Sequence, residues 1–191
     1  MSPRKERADA LRNRESVLAA ADELFARSES PGSVSMDDIA AAAGVGKGTL
    51  FRRFGDRTGL VHTLAEARIA PLRDAVESGP APLGPTTPPY ERVPALLAAI
   101  LRFKLDNRHL SLALEDTGGG SPYQAPHYTW WHRILRGALN EITDDGDFTA
   151  HALLAATRAD LVEHLAGEQD SDPERMMAQL MTFTAKVLGK R

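Results

Sequence analysis

Lys47, Arg52, Arg53 and Arg57 crowd between positions 47 and 57 against the single acid Asp56, with Thr49 and Phe51 set among them. Cations interleaved with a hydroxyl and an aromatic ring suit phosphate oxygens, base edges and thymine methyls, not bond-breaking chemistry. A second basic cluster, Arg4, Lys5, Arg7, Arg12 and Arg14 against Glu6 and Asp9, opens the chain. A basic arm alone is usually a solvated tail; it gains meaning from the first cluster. Both stand on a chain whose net charge is −3, so the distribution of charge carries the signal and its total does not.

The residues expected to touch nucleic acid are Ser35, Lys47, Gly48, Thr49, Phe51, Arg52, Arg53 and Arg57. Lys47 and Arg57, each at the start of a helix, read as phosphate ligands, and Ser35 adds a hydroxyl or a backbone donor. Arg52 is the first choice for base reading, because a guanidinium pairs with guanine O6 and N7. Gly48 lets the backbone approach closely.

Catalytic patterns are missing. The six histidines are scattered, and His127 and His132 stand five apart, not at the i,i+4 spacing of a helical metal pair. No Walker loop, dinucleotide fingerprint or nucleophile elbow occurs, and the glycine-rich run Thr117–Ser121 lacks a lysine and a strand before it. The expectation is no catalytic residue, no metal and no cofactor. Absence of cysteine excludes disulfides and thiolate ligands and agrees with a reducing cytoplasm. No apolar run reaches the roughly 18 residues of a membrane span, and no h-region follows the N-terminal charges.

These side chains need helices to hold them. Val17, Leu18, Ala21, Leu24 and Phe25 give one apolar stripe on a helix over 13–28, closed by Ser30-Pro31-Gly32-Ser33. Ser35 caps a second helix and Asp38 completes a capping box. Gly44 ends that helix in the left-handed region, which glycine adopts without steric cost. A third helix runs from about Gly46 to Phe54, with Leu50 and Phe54 inward and Lys47, Gly48, Phe51 and Arg52 outward. This is a helix-turn-helix with a recognition helix. Asp56 caps helix 4, which Gly59 weakens by about 1 kcal/mol relative to alanine and Pro71 kinks or ends.

The proline-rich segment 79–89 reads as a linker or loop. Helices follow over 93–105, 109–114 and 128–142, with a loop at 117–126 before the last. Helix 8 covers 148–166 and helix 9 runs from Pro173 to Leu188. No segment alternates as a strand. The chain is expected to be all-α: a three-helix helix-turn-helix DNA-binding domain with its basic arm at 1–62, and a larger helical regulatory and dimerisation domain at 63–191.

Over residues 10–62 the chain resembles the DNA-binding domain of the TetR family of transcriptional regulators. The resemblance rests on LAAADELFA, then SMDDIAAAAGVGKGTLFRRF, then the aspartate-capped DRTGLV, in order and in phase. Beyond position 62 it extends only to helical layout and length. It implies a homodimer on a palindromic double-stranded operator, released by a small-molecule effector held in the C-terminal domain, and no enzyme activity. Phe51 stands where the family commonly has tyrosine, Arg52 and Arg53 where histidine or tyrosine is frequent, and Gly55-Asp56-Arg57 where Pro-Ser-Lys is typical. These exchanges alter the operator contacts and leave the duplex-binding role.

Helices 8 and 9 both carry apolar stripes suited to pairing with a second copy. Phe103, Tyr123, His127, Trp130 and Trp131 are the candidates for lining an effector pocket, with Arg102, Glu115 or His132 as polar partners. Pro71 offers a bend through which an effector would tilt helix 4. A DNA-binding regulator under a protein partner, without a small molecule, is the alternative, and a helical enzyme the remote one.

Overall fold

The computed structural model describes residues 3–28, 33–115, 121–168 and 172–189, with side chains from residue 12 onward. Ten α-helices and no strand occur among the described residues: α1 (Pro3–Arg27), α2 (Met36–Ala43), α3 (Lys47–Phe54), α4 (Arg57–Ser78), α5 (Pro89–Asp106), α6 (Arg108–Glu115), α7 (Pro126–Leu139), α8 (Gly146–Ala155), α9 (Ala159–Glu163) and α10 (Pro173–Val187). The all-α expectation holds. None of these helices is long and apolar enough to cross a membrane.

The chain divides into two compact units, Met1–Arg68 with His109–Thr117, and Ile69–Arg108 with Gly118–Arg191. In the first, Val17, Ala21 and Phe25 of α1 close over Ile39 and Ala40 of α2, Leu50 and Phe54 of α3, and Leu60, Val61 and Leu64 of α4. The helix over 13–28 thus exists but begins ten residues earlier, at Pro3. Of the basic arm, Arg12 and Arg14 are exposed on this helix, while the side chains of Arg4, Lys5 and Arg7 lie outside the described residues, as do Ser30, Pro31 and Gly32. The short α6 adds Leu110 and Leu114 to this same core.

The second unit gathers around α5, whose Val93, Leu96, Leu97 and Ile100 meet Trp131 and Leu135 of α7, Leu153 of α8 and Leu180 of α10. Arg92 of α5 ties its proline-rich loop to α4: Nε donates to the Leu83 carbonyl within the loop at 3.0 Å, and a terminal nitrogen donates to the Val76 carbonyl of α4 at 3.0 Å.

Two expectations of helix shape change. The helix through Pro71 continues to Ser78. Proline forfeits one backbone bond, but Ile69 and Val76 on either side of it are both buried in the second core and hold the helical path. Helix 8, in contrast, is interrupted. α8 ends at Ala155, and α9 starts at Ala159 after Arg158 adopts φ −59° and ψ 143°. At the break the buried Thr157 hydroxyl donates back to the Leu154 carbonyl at 2.9 Å. Arg158 folds onto Asp160 with Nε at 2.9 Å and Nη2 at 2.7 Å. A hydroxyl that bonds its own preceding turn competes with helix propagation.

Candidate nucleic-acid interface

The α2–α3 turn is built from local chemistry. Ser35 Oγ accepts the Asp38 backbone N–H at 3.2 Å, and the Asp38 carboxylate accepts the Ser35 backbone N–H at 3.0 Å and its hydroxyl at 2.6 Å. This reciprocal cap satisfies N-terminal donors that would otherwise lack partners. Its hydrogen bonds, the Ser35 hydroxyl first and the backbone N–H second, hold the Asp38 carboxyl below the usual carboxylate range. At the other end Gly44 takes φ 66° and ψ 29°, and its N–H meets the last carbonyls of α2. The chain reverses at once, and Gly46 starts α3.

On α3, Leu50 and Phe54 are buried in the first unit's core. The opposite face presents Lys47, Gly48, Phe51, Arg52 and Arg53 to solvent, with Thr49 half-buried beside them. Phe51 is 46% exposed, an unusual setting for a ring that ordinarily seeks a core. A Cβ built on Gly48 meets nothing within 4 Å, so this turn of the helix is open to close approach.

The cations differ in how they are held. Lys47 pairs with Asp37 of α2, both exposed. Exposed pairs are worth roughly 0–1 kcal/mol, so a phosphate can take the ammonium from Asp37 at little cost. Arg57 is half-buried: its Nε donates to the Val34 carbonyl at 3.1 Å, and the guanidinium lies 5.3 Å from the Phe25 ring centroid. It thereby ties the start of α4 to α1 and to the entry of α2. Ser35 has its hydroxyl engaged in the capping box.

Gly59 has a role the sequence reading missed. Asp56 Oδ1 caps α4 by accepting the Gly59 N–H at 2.8 Å. A Cβ at position 59 would stand 2.1 Å from the Phe54 carbonyl oxygen. Glycine is therefore the residue that lets the end of α3 press against the start of α4. The signal was present in the order Phe54-Gly55-Asp56-Arg57-Thr58-Gly59, a tight turn with a cap and an extra glycine.

The expected pocket residues are distributed over the second unit. Trp131 is buried in its core and Phe103 packs against it. Trp130 donates its indole N–H to Glu77 at 2.7 Å and lies under the Arg73 guanidinium at 5.0 Å. Tyr123 stands edge-on to Tyr128 at 5.2 Å. His127 keeps its Nδ1 buried at the start of α7. Elsewhere in the unit, a cleft of about 830 Å³ is lined by residues that include Arg102, Leu105, Arg108, Ala166 and Met177. The Glu163 carboxylate grips Arg108 there with bonds of 2.7 and 2.9 Å, which raises the guanidinium's already high pKa.

Residues 17–64, which span α2, α3 and the cap of α4, match the family model of the bacterial regulatory proteins, tetR family. The chain is 35% identical over 66 residues, 35% of each length, to an HTH-type transcriptional regulator of Staphylococcus aureus strain MRSA252. It is 29% identical over 116 residues, 57% of each length, to another from strain USA300. The match therefore spans between 35% and 57% of the length of these curated relatives. Among solved structures, native NalD of Pseudomonas aeruginosa, described as the secondary repressor of the MexAB-OprM multidrug efflux pump, superposes with a TM-score of 0.66 at 16% identity. That superposition covers 94% of this chain and 96% of that one, a likeness of fold. The capped and glycine-turned helix pair, the family model that lies over it and the regulator relatives together identify residues 17–64 as a DNA-binding region of the kind found in the bacterial regulatory proteins of the tetR family.

Proposed function

We propose that the chain is a transcriptional repressor that binds a palindromic double-stranded operator as a homodimer in the cytoplasm and is released by a small molecule held in its C-terminal domain. Residues 1–62 bind DNA, and residues 63–191 bind the ligand and the second copy. The observation that carries this reading is the outward face of α3, where Phe51 is exposed among Lys47, Arg52 and Arg53 although nothing in the fold requires it to be. Lys47 holds phosphate, Arg52 reads a base, and Phe51 and Thr49 meet sugar or thymine methyl. Arg57 holds α4 in place and lends its positive charge to phosphate, while Ser35 presents the N-terminus of α2.

One short helix makes a small contact, and two half-sites about one DNA turn or a multiple apart multiply it. Support for pairing comes from Leu161 on α9 and from Phe183 and Val187 on α10, large apolar side chains left at the surface. Release by a small molecule is supported by the cleft in the second unit, whose size falls in the range of ligand sites.

Selection of bound duplexes from a random pool at fixed salt tests the reading. An enriched inverted repeat, bound by two chains, is the expected outcome. Recovery of unenriched sequence at low salt, or of a single half-site bound by one chain, overturns it.

A further inference from the structure

Tyr128 and His132 lie one turn apart on α7, and Asp147 and His151 one turn apart on α8. The two helices run antiparallel, so the pairs face each other. Tyr128 Oη is 2.6 Å from His151 Nδ1, and His132 Nε2 is 3.5 Å from Asp147 Oδ1. The two imidazoles stack with 3.9 Å between ring centroids. One ligand atom from each of His132, Asp147 and His151 lies within 4.8 Å of the others. His132 is shielded, with 13% of its side chain exposed, whereas Asp147 is 62% exposed, so the cluster is walled on one side and reachable from water on the other.

We propose that this cluster is a site for a divalent transition-metal ion of the zinc class, with His132 and His151 as nitrogen ligands and Asp147 as the carboxylate ligand. Two imidazoles and a carboxylate form a donor set suited to zinc and neighbouring first-row ions and unlike the all-oxygen sets of calcium and magnesium. The His132–Asp147 separation of 3.5 Å is already close to the edge of a tetrahedron built on bonds of about 2.0–2.1 Å. His151 joins by a small tilt of its ring that keeps Nδ1 beside Tyr128 Oη. With Nδ1 protonated and donating to Tyr128 Oη, Nε2 is the nitrogen left to face the ion. Water fills the remaining position. Arg136, whose Nη1 is 3.3 Å from Asp147 Oδ1, is the cation that the metal displaces from this carboxylate.

The sequence expectation of no metal site weighed the spacing of His127 and His132 along one helix. The ligand set instead joins the i,i+4 pair Asp147 and His151 to one histidine of the neighbouring helix, a combination that only the packing of α7 on α8 brings together. This proposal stands apart from DNA binding.

The test uses the full chain freed of metal with a chelator and titrated with Zn²⁺ against a chromophoric competitor, with Co²⁺ as an absorbing substitute. One ion per chain and the intense visible bands of tetrahedral Co²⁺ are expected. His132→Gln, His151→Gln and Asp147→Asn each weaken Zn²⁺ binding by about tenfold or more, and Tyr128→Phe by about tenfold, with helical circular dichroism retained. His62→Gln and His164→Gln leave it unchanged. No stoichiometric ion on the unaltered chain, or an affinity that none of the three ligand substitutions moves, overturns the site, and neither outcome bears on operator binding.

Discussion

Two interruptions of helix, one in each unit, are made in different ways. Between α2 and α3 the chain turns on Gly44 in the left-handed region and restarts at Gly46, after a capping box between Ser35 and Asp38. Between α8 and α9 it turns at Thr157 and Arg158, residues with no special backbone requirement, held by a buried hydroxyl bond and an arginine–aspartate clasp. In each case a carboxyl is held below its usual range. For Asp38 the first cause is the Ser35 hydroxyl, and for Asp160 it is the Arg158 guanidinium. The first turn is encoded by residues that few other conformations would want, the second by tertiary surroundings. The first turn lies within the residues that match the family model, and the second lies outside them.

Breaking the first region at its core has the largest expected effect. Leu50→Ala empties a fully buried site between α3 and its neighbours and should lower unfolding stability by about 2–5 kcal/mol in denaturant titration. Next comes Gly59→Ala, which forces a methyl against the Phe54 carbonyl. A loss of about 1–3 kcal/mol is expected, with weaker duplex binding because α3 shifts on α4. Stability equal to that of the unaltered chain would show that the close approach is not obligatory.

The two turns can then be compared directly. Ser35→Ala removes the cap and should cost roughly 1 kcal/mol of stability together with operator affinity. Thr157→Val keeps the shape, removes the bond to Leu154 and should cost about 1 kcal/mol while operator affinity stays put. Equal effects of both on DNA binding would break the distinction drawn here.

Acidification gives the smallest effect. A folded-state pKa below the unfolded one means that the unfolded chain takes up the proton first. The stabilising contribution of Asp38 is thus present above its ordinary pKa of about 3.9 and is lost as pH falls through the lower folded value. Asp160 behaves likewise. Thermal melts below about pH 4 should therefore fall less steeply in Asp38→Asn than in the unaltered chain.

What could be read from residues alone follows the same division. Ser35, Asp38, Gly44 and the Leu50–Phe54 pair each have one physical reason to be where they are, and together they defined the turn and the outward face of α3 before any coordinates. Of the two outcomes open at Pro71, the helix does not end there, because burial of Ile69 and Val76 outweighs one lost hydrogen bond. Helix 8 read as continuous because Thr157 and Arg158 are tolerable helix residues until burial and Asp160 act on them. Arg57 read only as a phosphate contact, since Phe25 and Val34, which also give its guanidinium a structural post, lie far off in sequence. The aromatic residues proposed for an effector had no pattern beyond type, and core packing uses the same types.

The central claim is that the exposed face of α3 lies against a duplex. Fluorescence anisotropy of the full chain on its selected operator, over a series of salt concentrations, tests it most directly. Affinity should fall steeply with salt, Lys47→Ala should reduce the log–log slope by about one, and Arg52→Ala should lose about 1–3 kcal/mol on the cognate duplex and far less on unrelated sequence. Affinity and slope left unchanged by both substitutions would contradict the account.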